Sequence, residues 1–272
     1  MSAILFGLGL LSGAQSCHAG ERDAASYEPS AMQGLALAAL MPFESLPSGD
    51  SSPEPFGAAS STPLTGGLQH KWSMVKKKLP RQRRTLMRCR TNAEGCPPAA
   101  QRFLAVLDRA MLQQGRGRIA EINRAINLDI RPVDDMTQYG VADLWATPLM
   151  TFASNAGDCE DYAIAKYVAL QEVGIADEDL RLVVVHDRDS NEYHAVAAVR
   201  YDGRWLILDN RTLEIRRDAD IAAFDPLFVL DQQGVKRIVA AAPKPANLMV
   251  SAGPAAVEPS FSSGWPAMPL LL

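Results

Sequence analysis

Residues 158–210 limit the possible folds more than any other stretch. From Asp158 to Glu172, Ala163, Ile164, Tyr167, Val168 and Leu170 recur at helical spacing and make a wide apolar face, and Gly174 supplies a stop. Three strand-like runs follow, Leu180–His186, Tyr193–Tyr201 and Arg204–Asn210. Only Asp202-Gly203 separates the last two, a dipeptide favoured in two-residue hairpins, so they are predicted to pair antiparallel with Tyr201 opposite Arg204. A further strand is expected at Leu227–Leu230. Upstream, helices are predicted over Pro98–Gln113 and Arg116–Ile126, the first with Phe103, Leu104, Leu107, Ala110 and Met111 on one face. Asp129–Asp135, interrupted by Pro132, reads as an extended edge piece, and Tyr139–Pro148 as a loop with aromatics. Helices first and antiparallel strands later predict an α+β domain.

The chain of 272 residues can hold one substantial core with length to spare. Its net charge of −4 argues for no nucleic-acid or membrane partner. It contains no apolar run of about 18 residues or more, the length a spanning helix needs. Ala3–Leu11 and the small residues around Ser16-Cys17-His18-Ala19 predict a signal peptide over 1–19, hence a periplasmic or secreted protein. No Lys or Arg precedes Arg22, so either the start lies upstream or the signal is atypical; a merely apolar start is the alternative. Residues 20–67 read as a Ser/Pro-rich tether, 68–240 as the folded domain and 241–272 as a Pro/Ala-rich tail. The domain opens on a basic run from Lys76 to Arg90, which reads as a solvated face or as a surface for an anionic partner.

The four cysteines are Cys17, Cys89, Cys96 and Cys159. If the first leaves with a signal peptide, the rest suit one disulfide plus one reactive thiol. Cys89 and Cys96 share a short polar loop and would bridge in an oxidising compartment; two reduced loop thiols are the alternative.

Cys159 stands in the first turn of the predicted helix, where backbone N–H groups and the helix dipole favour a thiolate. His194 and Asp209 follow in successive strands, and the order nucleophile, base and orienting acid is that of a catalytic triad. The hairpin register sets Asp209 opposite Val196, with His194 two residues along on the same face, within reach of a hydrogen bond. The structural alternatives are a small buried Cys, a core His and an Asp that caps a turn. Asp158, Glu160 and Asp161 surround the cysteine and would weaken it by raising its pKa. A divalent cation would remove that penalty, and Ca²⁺ suits an all-oxygen site; otherwise the acids complement the helix dipole. The Cys159 backbone N–H is a candidate oxyanion donor.

Gly157-Asp158-Cys159-Glu160-Asp161-Tyr162-Ala163, followed by Lys166, Tyr167, Leu170 and Gly174, resembles the bacterial transglutaminase-like cysteine proteinases. Tyr139-Gly140, Asp143 and Trp145-Ala146-Thr147-Pro148 match the same pattern, as do Arg181-Leu182, Tyr193-His194-Ala195-Val196 and Leu208-Asp209-Asn210. The resemblance implies a papain-like, transglutaminase-like fold with N-terminal helices packed on an antiparallel sheet. It implies Cys159 as nucleophile, His194 as base, Asp209 as third member, and Asp158, Glu160 and Asp161 at a calcium site. In the best-known branch, the LapG type, the protein substrate is a large surface adhesin of the biofilm system, and an inner-membrane cyclic-di-GMP receptor is the regulator. The expected activity is that of a secreted cysteine endopeptidase. A transglutaminase-type acyltransferase and a non-catalytic periplasmic binding module are the alternatives.

Overall fold

The computed structural model describes residues 52–239. The expected signal peptide and tail, and most of the expected tether, lie outside them. Six helices are described: α1 (Gly67–Thr91), α2 (Pro98–Met111), α3 (Gly115–Asp129), α4 (Asp135–Tyr139), α5 (Pro148–Ser154) and α6 (Cys159–Glu172). Nine strands accompany them: β1 (Ala59–Ser60), β2 (Arg131–Pro132), β3 (Ala156–Gly157), β4 (Leu180–Asp187), β5 (Glu192–Tyr201), β6 (Arg204–Leu208), β7 (Arg216–Arg217), β8 (Phe224–Leu230) and β9 (Val235–Val239). Seven of these make one antiparallel sheet in the order β1-β9-β8-β4-β5-β6-β7, while β2 and β3 pair in parallel. The architecture is the expected α+β. Among the described residues no helix is long and apolar enough to cross a membrane.

The hairpin forms as read. Asp202 and Gly203 both adopt positive φ, at 52° and 71°, and Tyr201 faces Arg204. A Schellman motif ends α6, with the Gly174 N–H donating to Gln171 O and the Ile175 N–H to Leu170 O, while Gly174 takes φ 92°. Two features of the N-terminal half differ from expectation. The basic run lies within the long helix α1, whose buried side is Trp72, Val75, Leu79, Leu86 and Cys89. Pro80 inside it and the density of charge hide the helical period from a reading by pattern. Tyr139, expected in a loop, ends the short helix α4, which Asp134 caps by accepting from the Thr137 N–H.

The helices cover one face of the sheet and enclose α6. From Asp161 to Leu170 every residue of α6 is buried, against β4 and β5 on one side and α3 and α5 on others. Trp72 of α1 closes another side, edge-on to Tyr167 at 5.4 Å. Such a helix has no polar stripe, because it has no side left for water. Apart from Asp161 in the first turn, Lys166 is the exception in composition. It is fully buried, with Nζ 3.4 Å from Leu208 O and near the Tyr162 ring. Burial lowers its pKa to about 7, opposed by the charge of Asp209.

The other sheet face carries a smaller core of Val183, Val185, Val196, Ala198, Trp205, Ile207, Phe224 and Val229. Residues 52–60, expected within the tether over 20–67, pack over it. Arg181 Nε donates to Glu54 Oε2 at 2.6 Å in a buried pair, and Trp205 Nε1 donates to Ser52 O at 3.2 Å. Phe56 meets Phe224, and β1 extends the sheet beside β9. These contacts are made with residues more than 100 positions away, which is why local composition reads as a tether.

Two outcomes follow from this packing. Glu54→Ala leaves the Arg181 guanidinium with only Asp231, 4.0 Å away and already paired with Lys236, and should cost about 3 kcal/mol in urea unfolding; no loss would detach residues 52–60 from the folded unit. Between pH 7 and about 10 the unfolded chain holds the Lys166 proton more than the native one, so stability from this group rises with pH. In thermal melts, Lys166→Met should therefore compare best with the native protein near pH 6 and lose ground as pH rises toward 10.

Candidate active site

Chain direction gathers the candidate residues. The connection from the end of α6 to the start of β4 is short, so α6 runs antiparallel to β4 and begins at the end of the sheet where β4 stops. There β5 starts, since Asp187 pairs with Glu192, and β6 stops, since Leu208 pairs with Ala197. Cys159 is the first residue of α6, His194 the third of β5, and Asp209 follows the last of β6. All three are buried. His194 and Asp209 share the face of Val196 and Ile207 in the smaller core, whereas Cys159 belongs to the larger one.

His194 and Asp209 are hydrogen-bonded, Nε2 to Oδ1 at 2.9 Å. Burial alone would raise the Asp209 carboxyl. The His194 hydrogen bond and charge, with the Arg211 guanidinium and backbone N–H, overrule it and hold the group well below the usual carboxylate range. An ionised carboxylate only accepts, so Nε2 carries the hydrogen and Nδ1 is left as the ring's basic atom. Phe224 packs against the imidazole at 5.9 Å. From behind, Asn127 of α3 donates to Asp209 O and Thr212 O, both at 2.8 Å, and Asn123 donates to Thr212 O and Leu213 O. Arg211 is held in turn by Asp187, Nη1 to Oδ2 at 2.8 Å. Sequence reading did not find Asn127, Arg211 or Asp187; the one available signal was an arginine two residues after a candidate acid.

The acids around Cys159 divide into two overlapping groups. Oxygens of Asp135, Asp158 and Asp161 lie within 4.8 Å of one another, and so do oxygens of Asp135, Asp143 and Glu160. The three expected residues therefore do not form one set by themselves; Asp135 joins both, and Asp143 completes the second. Asp143 stood in the resemblance motif without a role, and Asp135 was read only as the end of an extended piece. Gly157 lets Asp161 fold back beneath the loop, because a Cβ there would sit 2.7 Å from Asp161 Oδ2 and 2.8 Å from its Cβ. Asp161 Oδ1 accepts from the Ala146 N–H at 2.7 Å, and Asp135 accepts from the Leu144 N–H. The Glu160 carboxylate lies 3.4 Å from the Cys159 sulfur.

Burial, reinforced by the neighbouring acids, raises all four carboxyls that are not exposed: Asp135, Asp158 to about 7, and Glu160 and Asp161 well above their usual values. Asp135 Oδ1, Asp158 Oδ1 and Asp161 Oδ2 are buried without a hydrogen-bond partner among the described residues. Orphaned buried oxygens that converge and repel each other suit a hard divalent cation. Elsewhere, Cys89 and Cys96 are joined by a disulfide that ties the end of α1 to the start of α2.

The family model of the bacterial transglutaminase-like cysteine proteinases matches residues 84–222. No curated protein matches the chain. Among solved structures, LapG of Legionella pneumophila is similar at 20% identity, over 57% of this chain and 87% of that one, with a TM-score of 0.48. A calcium-bound form of the same LapG aligns at 21% identity over 56% and 87%, with a TM-score of 0.49. A transglutaminase is similar at 15% identity over 40% and 30%, with a TM-score of 0.34. On the family match, which takes in Cys159, His194 and Asp209, the chain belongs to the bacterial transglutaminase-like cysteine proteinases and is a cysteine peptidase.

Proposed function

We propose that the chain is a calcium-dependent cysteine endopeptidase that works through Cys159, His194 and Asp209. The observation that carries this reading is the buried 2.9 Å His194–Asp209 bond at the sheet end where the Cys159 helix begins. The reduced Cys159 sulfur attacks the scissile carbonyl carbon while His194 Nδ1 takes the thiol proton. His194 gives that proton to the leaving amine, and a thioester remains. Water then attacks the thioester, loses a proton to His194, and the acid and the Cys159 thiol are released. Asp209 keeps the ring oriented and stabilises its charged form throughout.

Asp135, Asp158 and Asp161, with Asp143 and Glu160, would hold the Ca²⁺ ion. The ion would neutralise the buried acids beside the nucleophile and stiffen the start of α6. The orphaned carboxylate oxygens support this assignment. The substrate is a protein. By the motif resemblance it is a large surface adhesin of the biofilm system, with an inner-membrane cyclic-di-GMP receptor restraining the enzyme. The Cys89–Cys96 bridge supports an oxidising setting, periplasmic or secreted.

Iodoacetamide labelling with reductant present, read by peptide mass spectrometry near pH 6, tests the triad. Cys159 should react at least about ten times faster than in His194→Ala, since a poised thiolate depends on its base. Equal rates would sink the assignment. Against a peptide library, Cys159→Ala should lower turnover by about 10³-fold or more, and retained cleavage would remove the nucleophile. Chelation with EGTA should lower the melting temperature and slow the labelling of Cys159, both restored by added Ca²⁺. At 100 times the dissociation constant the ion would supply about 3 kcal/mol. Indifference to EGTA would leave the acids as dipole partners only.

A further inference from the structure

We propose that Arg211, anchored by Asp187, is a positioning residue that sets the proton affinity of His194 by sharing the Asp209 carboxylate with it. The inference deepens the triad reading and rests on it. Asp209 Oδ1 accepts from His194 Nε2 and from the Arg211 N–H, each at 2.9 Å, and Arg211 Nη2 lies 3.5 Å from Oδ2. Arg211 Nη1 reaches Asp187 Oδ2 at 2.8 Å, and Asp187 Oδ1 is fixed by the Asp189 N–H at 3.0 Å. The four side chains thus alternate in charge, Asp187, Arg211, Asp209 and His194, on three segments of chain. Phe224 holds the set together, with the Arg211 guanidinium over its ring at 5.6 Å and the His194 ring beside it at 5.9 Å.

The electrostatic consequence has a sign. A carboxylate facing only an imidazole favours the imidazolium, and a second cation on the same carboxylate takes part of that preference away. Asp187 opposes Arg211, because it draws the guanidinium toward β4 and away from Asp209. Other groups act on the same carboxylate or stand beside the set: Lys166 of α6, buried under Leu208 O, interacts with the Asp209 charge, Asn127 of α3 donates to Asp209 O, and Asp225, next to Phe224 in the chain, is paired with Arg188 at 3.7 Å. A cavity of about 220 Å³ lies over the set, lined by Asp187, Asp209, Arg211 and Phe224 among others. It leaves the Arg211 side chain 29% exposed while Asp187 stays buried, so the guanidinium has room to turn between its two acids.

The test is an NMR titration of the His194 ring in the full-length protein carrying Cys159→Ala, which keeps the thiol out of the measurement. Arg211→Met should raise the His194 midpoint by about 0.5–1 pH unit, and Asp187→Asn should lower it by a smaller amount. The asparagine still accepts from the Asp189 N–H, which preserves the local turn. Arg211→Lys keeps a cation but loses the two-pronged geometry, so it should titrate between the native protein and Arg211→Met, and it serves if the methionine variant does not fold. An unmoved midpoint, or shifts of the same sign in the arginine and aspartate variants, would overturn the proposal. In chains that retain Cys159, the acid limb of the pH profile for peptide cleavage, where protonation of His194 stops it taking the thiol proton, should move with the midpoint. A midpoint that moves without any cleavage would fail the peptidase mechanism and leave the network standing. Normal cleavage with an unmoved midpoint would fail the network alone.

Discussion

A helix with no face toward water governs this structure. Every residue of α6 from Asp161 to Leu170 is enclosed by sheet and helices, and its far end is consumed by the turn that enters β4. Chemistry on such an element can happen only at its beginning. Because the turn is short, that beginning falls at the end of the sheet where β5 enters and β6 leaves. Cys159, His194 and Asp209 are placed at one end of the sheet through chain direction, and a longer or looser connection after Glu172 would not oblige them to be.

The neighbourhood of Cys159 holds carboxylates of two opposite kinds. Asp158, Glu160, Asp161 and Asp135 are crowded together out of water, and each makes its neighbours harder to ionise. Asp209 is equally enclosed, yet the His194 ring N–H, the Arg211 guanidinium and a backbone N–H keep it ionised. Burial has the same sign in both places. What differs is whether the surrounding groups are acids or donors, and this separates carboxyls that resist ionisation from one that stays ionised beside His194.

Much of the candidate site's local framework was legible before the fold. The Asp202-Gly203 turn fixes the β5–β6 register through two residues that tolerate positive φ, and that register brings His194 alongside Asp209. The helical period of α6, its Gly174 stop and the Cys89/Cys96 loop act over equally short spans. Helix α1 was hidden because Pro80 and many charges blur its period. The role of residues 52–60 was hidden for another reason: Glu54 and Ser52 gain meaning only from Arg181 and Trp205. Asp135 and Arg211 escaped likewise, since nothing in their own surroundings marks them.

Sequence alone thus determined the elements whose causes are local, namely the helix that Cys159 begins, the hairpin that carries His194 toward Asp209, and the acids next to Cys159. Turn chemistry, capping and periodicity work between residues a few positions apart, and the chain cannot avoid displaying them. Only the tertiary structure decided which acids share a cluster, bringing Asp135 and Asp143 to Asp158, Asp161 and Glu160. It alone turned Asp187 and Arg211 toward Asp209, and laid Phe56 on the far face of the sheet. Those outcomes depend on the path of the backbone between distant residues, because electrostatic and packing energies follow distance in space and not separation along the chain.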